Sequence, residues 1–427
     1  MSPEIVSILL LAVMFAFATW RGVNMGILGF VAAFALGSSM LGMDVKEIWA
    51  GFPVDLFVSL LGLTFLFGFA QNNGAIEVLV GACMKVIGRR HQFAPWIFFL
   101  LTAALIASGA LFAVAIITPL ALSFARRNRI NQLMMGLLVV HGALAGAFSP
   151  ISVYGVFING YLAKQGLPTA PVVLFVIPFV LNVLFALVTW FVLRGRDDPE
   201  MAGQAAPTVV TGTSSGAIGT VTRVGRPNRS QTLTLVGLAV MVVLVLIVNL
   251  NIGVVCLGIG IVLACISPDE GAQALKRVSW SVLVLITGVL TYIAVLESAG
   301  TVEWVSGGIQ AIAIPLVAAL LLFYLAGFVS ALASSLGIIG VVIALAVPFL
   351  QQGQVSVAGF VAALAFSATI VDISPFSTNG AMLLANVGES IRDWYYRRML
   401  IYAGLMCLVG PAVGWVVAAV PTWAGMR

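Results

Sequence analysis

Residues 372–379 read DISPFSTN and follow GFVAALAFSATIV (359–371), a run apolar enough to lie inside a bilayer. The octet carries an acid, three hydroxyls, an amide and the helix-breaking Pro375 to that depth. A second stretch, AFSPISVYG (147–155), has the same character in the first half of the chain. In hydrocarbon every backbone N–H and C=O needs a protein partner. Irregular backbone therefore survives only where it is buried in protein or lines a watery cavity.

The surroundings of both stretches define the fold class. Of the 427 residues, 61% are hydrophobic and 8% charged, against about 25% charged in a soluble domain. Repeated runs exceed the ~18 apolar residues of a membrane span, and none shows the two-residue alternation of a transmembrane barrel strand. The chain reads as an all-α polytopic membrane protein. Its opening EIVSILLLAVMFAFATW (4–20) reads as a first span, not a cleavable signal peptide, because it lacks a basic leader and a small-residue cleavage site. Cys83, Cys256, Cys265 and Cys407 are scattered among apolar neighbours and read as buried small hydrophobes. The net charge of +5 has no basic stripe with interleaved aromatics, so nucleic acid is not an expected partner and the lipid bilayer is.

Residues 194–230 are polar, rich in Gly, Ser and Thr, and basic at both ends, as a cytoplasmic linker would be. They separate residues 1–193 from 231–427. In the first half, spans are expected at 4–20, 23–42, 54–72, 133–163 and 170–193, with 93–125 interrupted at Ser108-Gly109. In the second they are expected at 231–248, 250–266, 279–298, 355–388 and 394–420, with 310–350 interrupted at ASSLG (333–337). The halves are related. At an offset of 226, Gly62 meets Gly288, Gly74 meets Gly300, Glu77 meets Glu303, Gly81 meets Gly307 and Ser108 meets Ser334. At 225, Ser149-Pro150 meets Ser374-Pro375, Ser152 meets Ser377 and Gly155 meets Gly380. A near-constant offset over so long a stretch is the internal repeat of a transporter fold.

Topology follows from Lys and Arg. With the linker in the cytoplasm, seventeen of the twenty basic residues fall inside, and only Lys46, Lys164 and Arg427 fall outside. Arg90 and Arg126 bracket 93–125 and are both cytoplasmic, so that segment enters and leaves on one side as a re-entrant hairpin. Its mate 310–350 opens to the opposite side. Each half holds five full spans, an odd number, so the second repeat is inverted relative to the first. The expected architecture is two inverted repeats of five transmembrane helices plus one re-entrant hairpin, with broken helices at 133–163 and 355–388.

Inversion brings the four breaks together near the midplane, which accounts for polar residues at that depth. The spans contain no Lys or Arg near their centres. An anion must therefore be held by half-helix N-termini and short hydroxyl or amide donors, while unwound carbonyls and hydroxyls suit an alkali cation. Candidate substrate contacts are Ser108, Gly109, Ser152, Ser334, Ser335, Ser377, Thr378 and Asn379. Candidate cation contacts are Ser108, Ser149, Ser334, Asp372 and Ser374. For the hydroxyls and Asn379 the competing role is capping or back-bonding within the bundle. Asp372 is read as a cation ligand or proton carrier, or else as a carboxylate capping the half-helix that starts near Ser377. Its repeat mate is Ala147, so two equivalent cation sites are not expected. His141 reads as a satisfied core histidine or a proton relay.

With hairpins, inverted repeats and Ser-Pro breaks in place, the chain resembles the ion-transporter superfamily, which includes the divalent anion–sodium symporters. Within it, EIVSILLLAVMFAFATWRGVNMGILGFVAAFALG (4–37) and IWAGFPVDLFVSLLGLTFLFGFAQNNG (48–74) resemble the N-terminal part of MatC-type malonate/dicarboxylate carriers. The resemblance implies a homodimer with an elevator mechanism, in which hairpins and broken helices slide past a scaffold of the remaining spans. Symporter hairpin tips carry Ser-Asn-Thr, contacting substrate carboxylate and Na⁺. Here those positions read Ser108-Gly109-Ala110 and Ser334-Ser335-Leu336. Asn379 matches the family's Pro-Asn region, and Tyr154 stands at its mate.

The reading that results is secondary active transport of a small, malonate-like dicarboxylate coupled to Na⁺ or H⁺, without a cofactor or any metal other than Na⁺. A cation/proton exchanger or inorganic oxyanion transporter of the same superfamily is the alternative. An enzyme is not expected: HExxH and GxxxxGK[ST] are absent from the sequence.

Overall fold

The computed structural model describes residues 2–87, 93–196, 227–310, 314–331, 335–353 and 355–423. Among them the regular structure is helical, and the helices fall into two sets of ten that match in order. The outer set is α1 and α11 (Pro3–Arg21, Arg229–Leu246), α2 and α12 (Met25–Met40, Ile252–Ile266), α3 and α13 (Val45–Ala50, Pro268–Lys276), α4 and α14 (Val54–Asn72, Trp280–Ser298), and α5 and α15 (Ala75–Ile87, Thr301–Gln310). The inner set begins with two hairpins, α6 with α7 (Ala94–Ala107, Ala113–Arg127) and α16 with α17 (Pro315–Ser330, Ser335–Gln351). Two broken helices follow, α8 with α9 (Gln132–Gly146, Val153–Lys164) and α18 with α19 (Val357–Thr369, Thr378–Ala385). The long helices α10 and α20 (Pro171–Leu193, Arg392–Trp423) close each repeat.

Three helices of each repeat are long and apolar enough to cross a membrane alone, namely α1, α4 and α10 with their mates α11, α14 and α20. The other spans are shorter or broken. The expected linker falls largely on 197–226, which lie outside the described residues, as do residues 332–334 at the second hairpin tip.

The seam between repeats is built from glycine. α2 packs on α14, and its mate α12 packs on α4. A Cβ at Gly26 would stand 1.9 Å from the Val284 carbonyl oxygen, and one at Gly288 would stand 2.0 Å from that of Gly26. On the symmetric side, a Cβ at Gly62 would lie 2.6 Å from the Gly253 oxygen, and one at Gly253 would lie 2.8 Å from the Ser59 Cα. Small residues let helix backbones touch where lipid supplies no hydrophobic drive to hold them together. Polar ties repeat the pattern. Ser7 of α1 shares a 2.7 Å hydrogen bond with Thr301 at the start of α15, and Asn73 before α5 donates to Thr234 of α11 at 2.8 Å.

Each broken helix packs between its hairpin and its closing helix, α8 against α6 and α10, α18 against α16 and α20. The resemblance would put α10 and α20 in the scaffold. The structure instead packs both with the broken helices, and α10 also touches α18. The buried His141 ties them. Its Nδ1 donates to Asn182 Oδ1 of α10 at 3.0 Å, because the Asn182 amide nitrogen already donates to the Pro178 carbonyl. Its Nε2 lies 2.6 Å from the Tyr402 hydroxyl of α20, which is 2.7 Å from Thr189 Oγ1. His141 is a satisfied core histidine.

Gly288→Leu is expected to drive α2 off α14, lowering the melting temperature of the detergent-solubilised protein by the equivalent of about 1–3 kcal/mol. Gly258→Ala, where an added Cβ meets nothing within 4 Å, should leave it unchanged. Equal melting of the two variants would contradict the seam.

Candidate functional site

The two Ser-Pro breaks have one internal construction. Pro150 and Pro375 cannot continue a helix, and the next half-helix restarts at Val153 or Thr378 behind a serine N-cap. Ser152 Oγ accepts from Gly155 N–H at 3.1 Å and donates between the carbonyls of Ala147 and Ser149. Ser377 Oγ accepts from Gly380 N–H at 3.2 Å and donates between the carbonyls of Asp372, at 2.5 Å, and Ser374, at 2.8 Å. One hydroxyl thus joins the loose C-terminal end of one half-helix to the N-terminal end of the next. Gly155 and Gly380 let the chain close so tightly: a Cβ there would stand 1.8 Å and 1.9 Å from the Ser149 and Ser374 carbonyl oxygens. The first serine of each motif also serves its own loop, Ser149 Oγ accepting from Ile151 N–H at 3.4 Å and Ser374 Oγ from Phe376 N–H at 3.3 Å.

The symmetry ends at the space beside the breaks. α4 packs against α9, but their mates α14 and α19 are held apart by a cavity of about 510 Å³, a size usual for small-ligand sites. Ile106, Leu111 and Phe112 from the first hairpin and Val282 and Leu285 of α14 form an apolar wall. Asp372, Ser377, Thr378 and Asn379 from the second break, with Ser335 and Tyr154, form the polar wall. The mouth is rimmed by the α1–α2 turn, from Thr19 to Asn24, and by Ser279 and Ser281. No Lys, Arg or His is among the lining residues.

On the polar wall three helical elements converge. Ser335, the first residue of α17, donates to Asp372 Oδ2 at 2.8 Å, and the Tyr154 hydroxyl lies 2.8 Å from Ser335 Oγ. Ser335 has one proton and it goes to the carboxylate, so Tyr154 donates to Ser335. The chain Tyr154–Ser335–Asp372 crosses the two repeats. Asp372 is 6% exposed, and its Oδ1 has no hydrogen-bond partner among the described residues. Thr378 and Asn379 are the first residues of the eight-residue α19. Their N–H groups have no helical acceptor, and their side chains bond to no described residue.

The candidate residues therefore divide. Ser335, Asp372, Ser377, Thr378 and Asn379 line the cavity, although the Ser377 hydroxyl is held by its own backbone. Ser108, Gly109, Ser149, Ser152 and Ser374 do not line it. The Ser108 hydroxyl donates back to the Leu105 carbonyl at 2.9 Å. Gly109, at φ +112°, sits against Phe67 and Leu63 of α4. The serines at 149, 152 and 374 act within their loops. Residues flanking all four breaks border one pocket, but its polar wall comes from the second break and the second hairpin, with Tyr154 alone reaching in from the first half, whose hairpin and Ala147 add apolar groups. Ser334 lies outside the described residues. Tyr154 was missed as a site residue. Its place opposite Asn379 in the repeat was the available signal, since a phenol there is the larger of two unlike side chains.

Residues 1–147 match the family model described as the N-terminus of the dicarboxylate carrier protein MatC. No curated protein matches the chain. Among solved structures, the YdaH transporter of Alcanivorax borkumensis, described as having an unusual topology, aligns with a TM-score of 0.61 over 87% of this chain and 86% of that one, at 13% identity. At that identity the likeness is one of fold. The helical architecture, with six helices among the described residues long and apolar enough to cross a membrane, defines a polytopic membrane protein. Its N-terminal third is similar to the N-terminus of the MatC dicarboxylate carrier.

Because Ser152 and Ser377 make the same bonds, Ser152→Ala and Ser377→Ala should each lower folding stability by about 1 kcal/mol, read as matching drops in thermal midpoint. A large loss confined to one variant would show that the two breaks are not built alike.

Proposed function

We propose that this protein is a secondary active transporter of small dicarboxylates of malonate size, coupled to Na⁺ or H⁺. The observation that carries the reading is the N-terminus of α19, which opens with unpartnered N–H, hydroxyl and amide donors onto a cavity that has no fixed cation. Such a terminus favours an anionic group, and the apolar wall opposite suits the short carbon chain between two carboxyls. The MatC N-terminal match supports the substrate class.

The access route follows from the basic residues. Arg21 at the end of α1 and Lys276 and Arg277 before α14 flank the cavity mouth, which the positive-inside rule puts on the cytoplasmic side. In this reading the structure is an inward-facing state. The hairpins, broken helices and closing helices α10 and α20 form the moving unit of an elevator, and the glycine-seamed outer helices form the scaffold through which two copies dimerise. The membrane is the plasma membrane of a bacterium.

In proteoliposomes, labelled malonate should exchange against internal malonate or succinate but not against sulfate, and its accumulation should require a Na⁺ or H⁺ gradient. Thr378→Ala and Asn379→Ala each remove a donor to a charged group, worth about 1.5–3 kcal/mol, and should raise KM roughly tenfold or more. Failure of every dicarboxylate to exchange would refute the reading, as would exchange with an unaltered KM in both variants.

A further inference from the structure

The cavity offers one well-formed place for a negative charge and a poor place for a second. The N-terminus of α19 is the former. The matching N-terminus of α9 opens differently, because Tyr154 stands where the second repeat has Asn379 and turns its hydroxyl to Ser335. Beside the N-terminus of α19, on the same polar wall, stands a carboxylate. Asp372 is nine-tenths buried, holds Ser335 with one oxygen and leaves the other without a partner among the described residues. A dicarboxylate seated with one carboxylate on α19 brings its second carboxyl to the Asp372 side. Two carboxylates at close range cannot both stay charged, and such a pair keeps one proton between them.

Resting on the dicarboxylate reading, we infer that the substrate is bound together with one proton, held in a carboxyl–carboxylate hydrogen bond between its second carboxyl group and Oδ1 of Asp372. The dianion binds and one proton enters the site with it. Equivalently, the hydrogen dicarboxylate monoanion binds to ionised Asp372. The only covalent change is one O–H bond, which is lost again when substrate and proton leave to the cytoplasm. The proton is thus a co-substrate.

The other ionisable groups do not supply the missing partner. On α8, His141 faces Asn182 and Tyr402. Tyr154 on α9 donates to Ser335. Neither α10, α17 nor α18 contains an ionisable side chain within its helical span. On α7, Arg126 and Arg127 stand in the last turn, and Arg126 reaches the Gly388 region. Glu389 and, on α20, Arg392, Asp393, Tyr395, Tyr396, Arg397, Arg398 and Tyr402 do not line the cavity, and nor do Tyr292 and Glu297 of α14.

The test measures Kd for malonate and for monomethyl malonate, a permanent monoanion, on the purified full-length protein across pH. Above the second ionisation of malonate, its Kd should rise about tenfold per pH unit, as the singly protonated species is diluted out, while Kd for the half-ester stays level. The Asp372→Asn variant, with a neutral partner in place of the carboxylate, should bind malonate with a level Kd over the same range. Binding of malonate by the wild type with a level Kd would overturn the inference and leave the transport reading intact. A parallel rise for malonate and half-ester would overturn it too, since the lost proton would then belong to the protein alone. Retention of the wild-type slope in Asp372→Asn would remove Asp372 as the partner. The wild-type comparison stands without the variant. Absence of binding by any dicarboxylate at any pH would instead remove the reading on which the inference rests.

Discussion

Everything in this structure depends on how a broken helix is made tolerable in a medium without water. An interrupted span frees N–H and C=O groups that lipid cannot satisfy, each at a cost of several kcal/mol. Here a single serine hydroxyl answers both ends of each interruption, donating into the carbonyls that one half-helix leaves over and accepting from a glycine N–H of the next. That same glycine allows the loop to fold onto itself closely enough for one small side chain to span it. With the loop held by its own atoms, the first N–H groups of α19 remain available to something other than protein.

The two repeats use the same loop and reach different ends. Where the first has Ala147, Tyr154 and Gly109, the second has Asp372, Asn379 and Ser335. All three of these substitutions meet at one point: the phenol of the first repeat donates to the hydroxyl of the second, which donates to the second repeat's acid. The first half thus fills its own pocket and steadies that of the other. A duplicated framework has become a single asymmetric chamber.

Much of this was legible in the sequence, for identifiable reasons. Spans, hairpins and inversion follow from hydropathy, from Lys and Arg placement and from the Ser-Pro register, all of which answer to the bilayer and not to tertiary detail. The polar residues at 372–379 announced a cavity because nothing else excuses them at that depth. Sequence could not separate a hydroxyl that faces a ligand from one that caps its own loop, since Ser152 and Ser377 stand in the same S-P-x-S-x-x-G pattern and the structure differs in whether open space lies beside them. That space exists because α14 stands away from α19 while α4 rests on α9, a rigid-body relation with no local signature. Nor could it show that α10 and α20 pack with the broken helices, because the tie runs through His141, Asn182 and Tyr402, far apart in the chain.

The glycine seam between α2 and α14, and between α12 and α4, has a mechanical consequence. At Gly26, Gly288, Gly62 and Gly253 backbone rests on backbone, with little slack to be taken up. Such a joint yields only by parting altogether, so the outer helices behave as one stiff frame. Any shape change the protein undergoes must be absorbed along the opposite boundary, where the bond from Gln165 to Glu297 is one that would have to break.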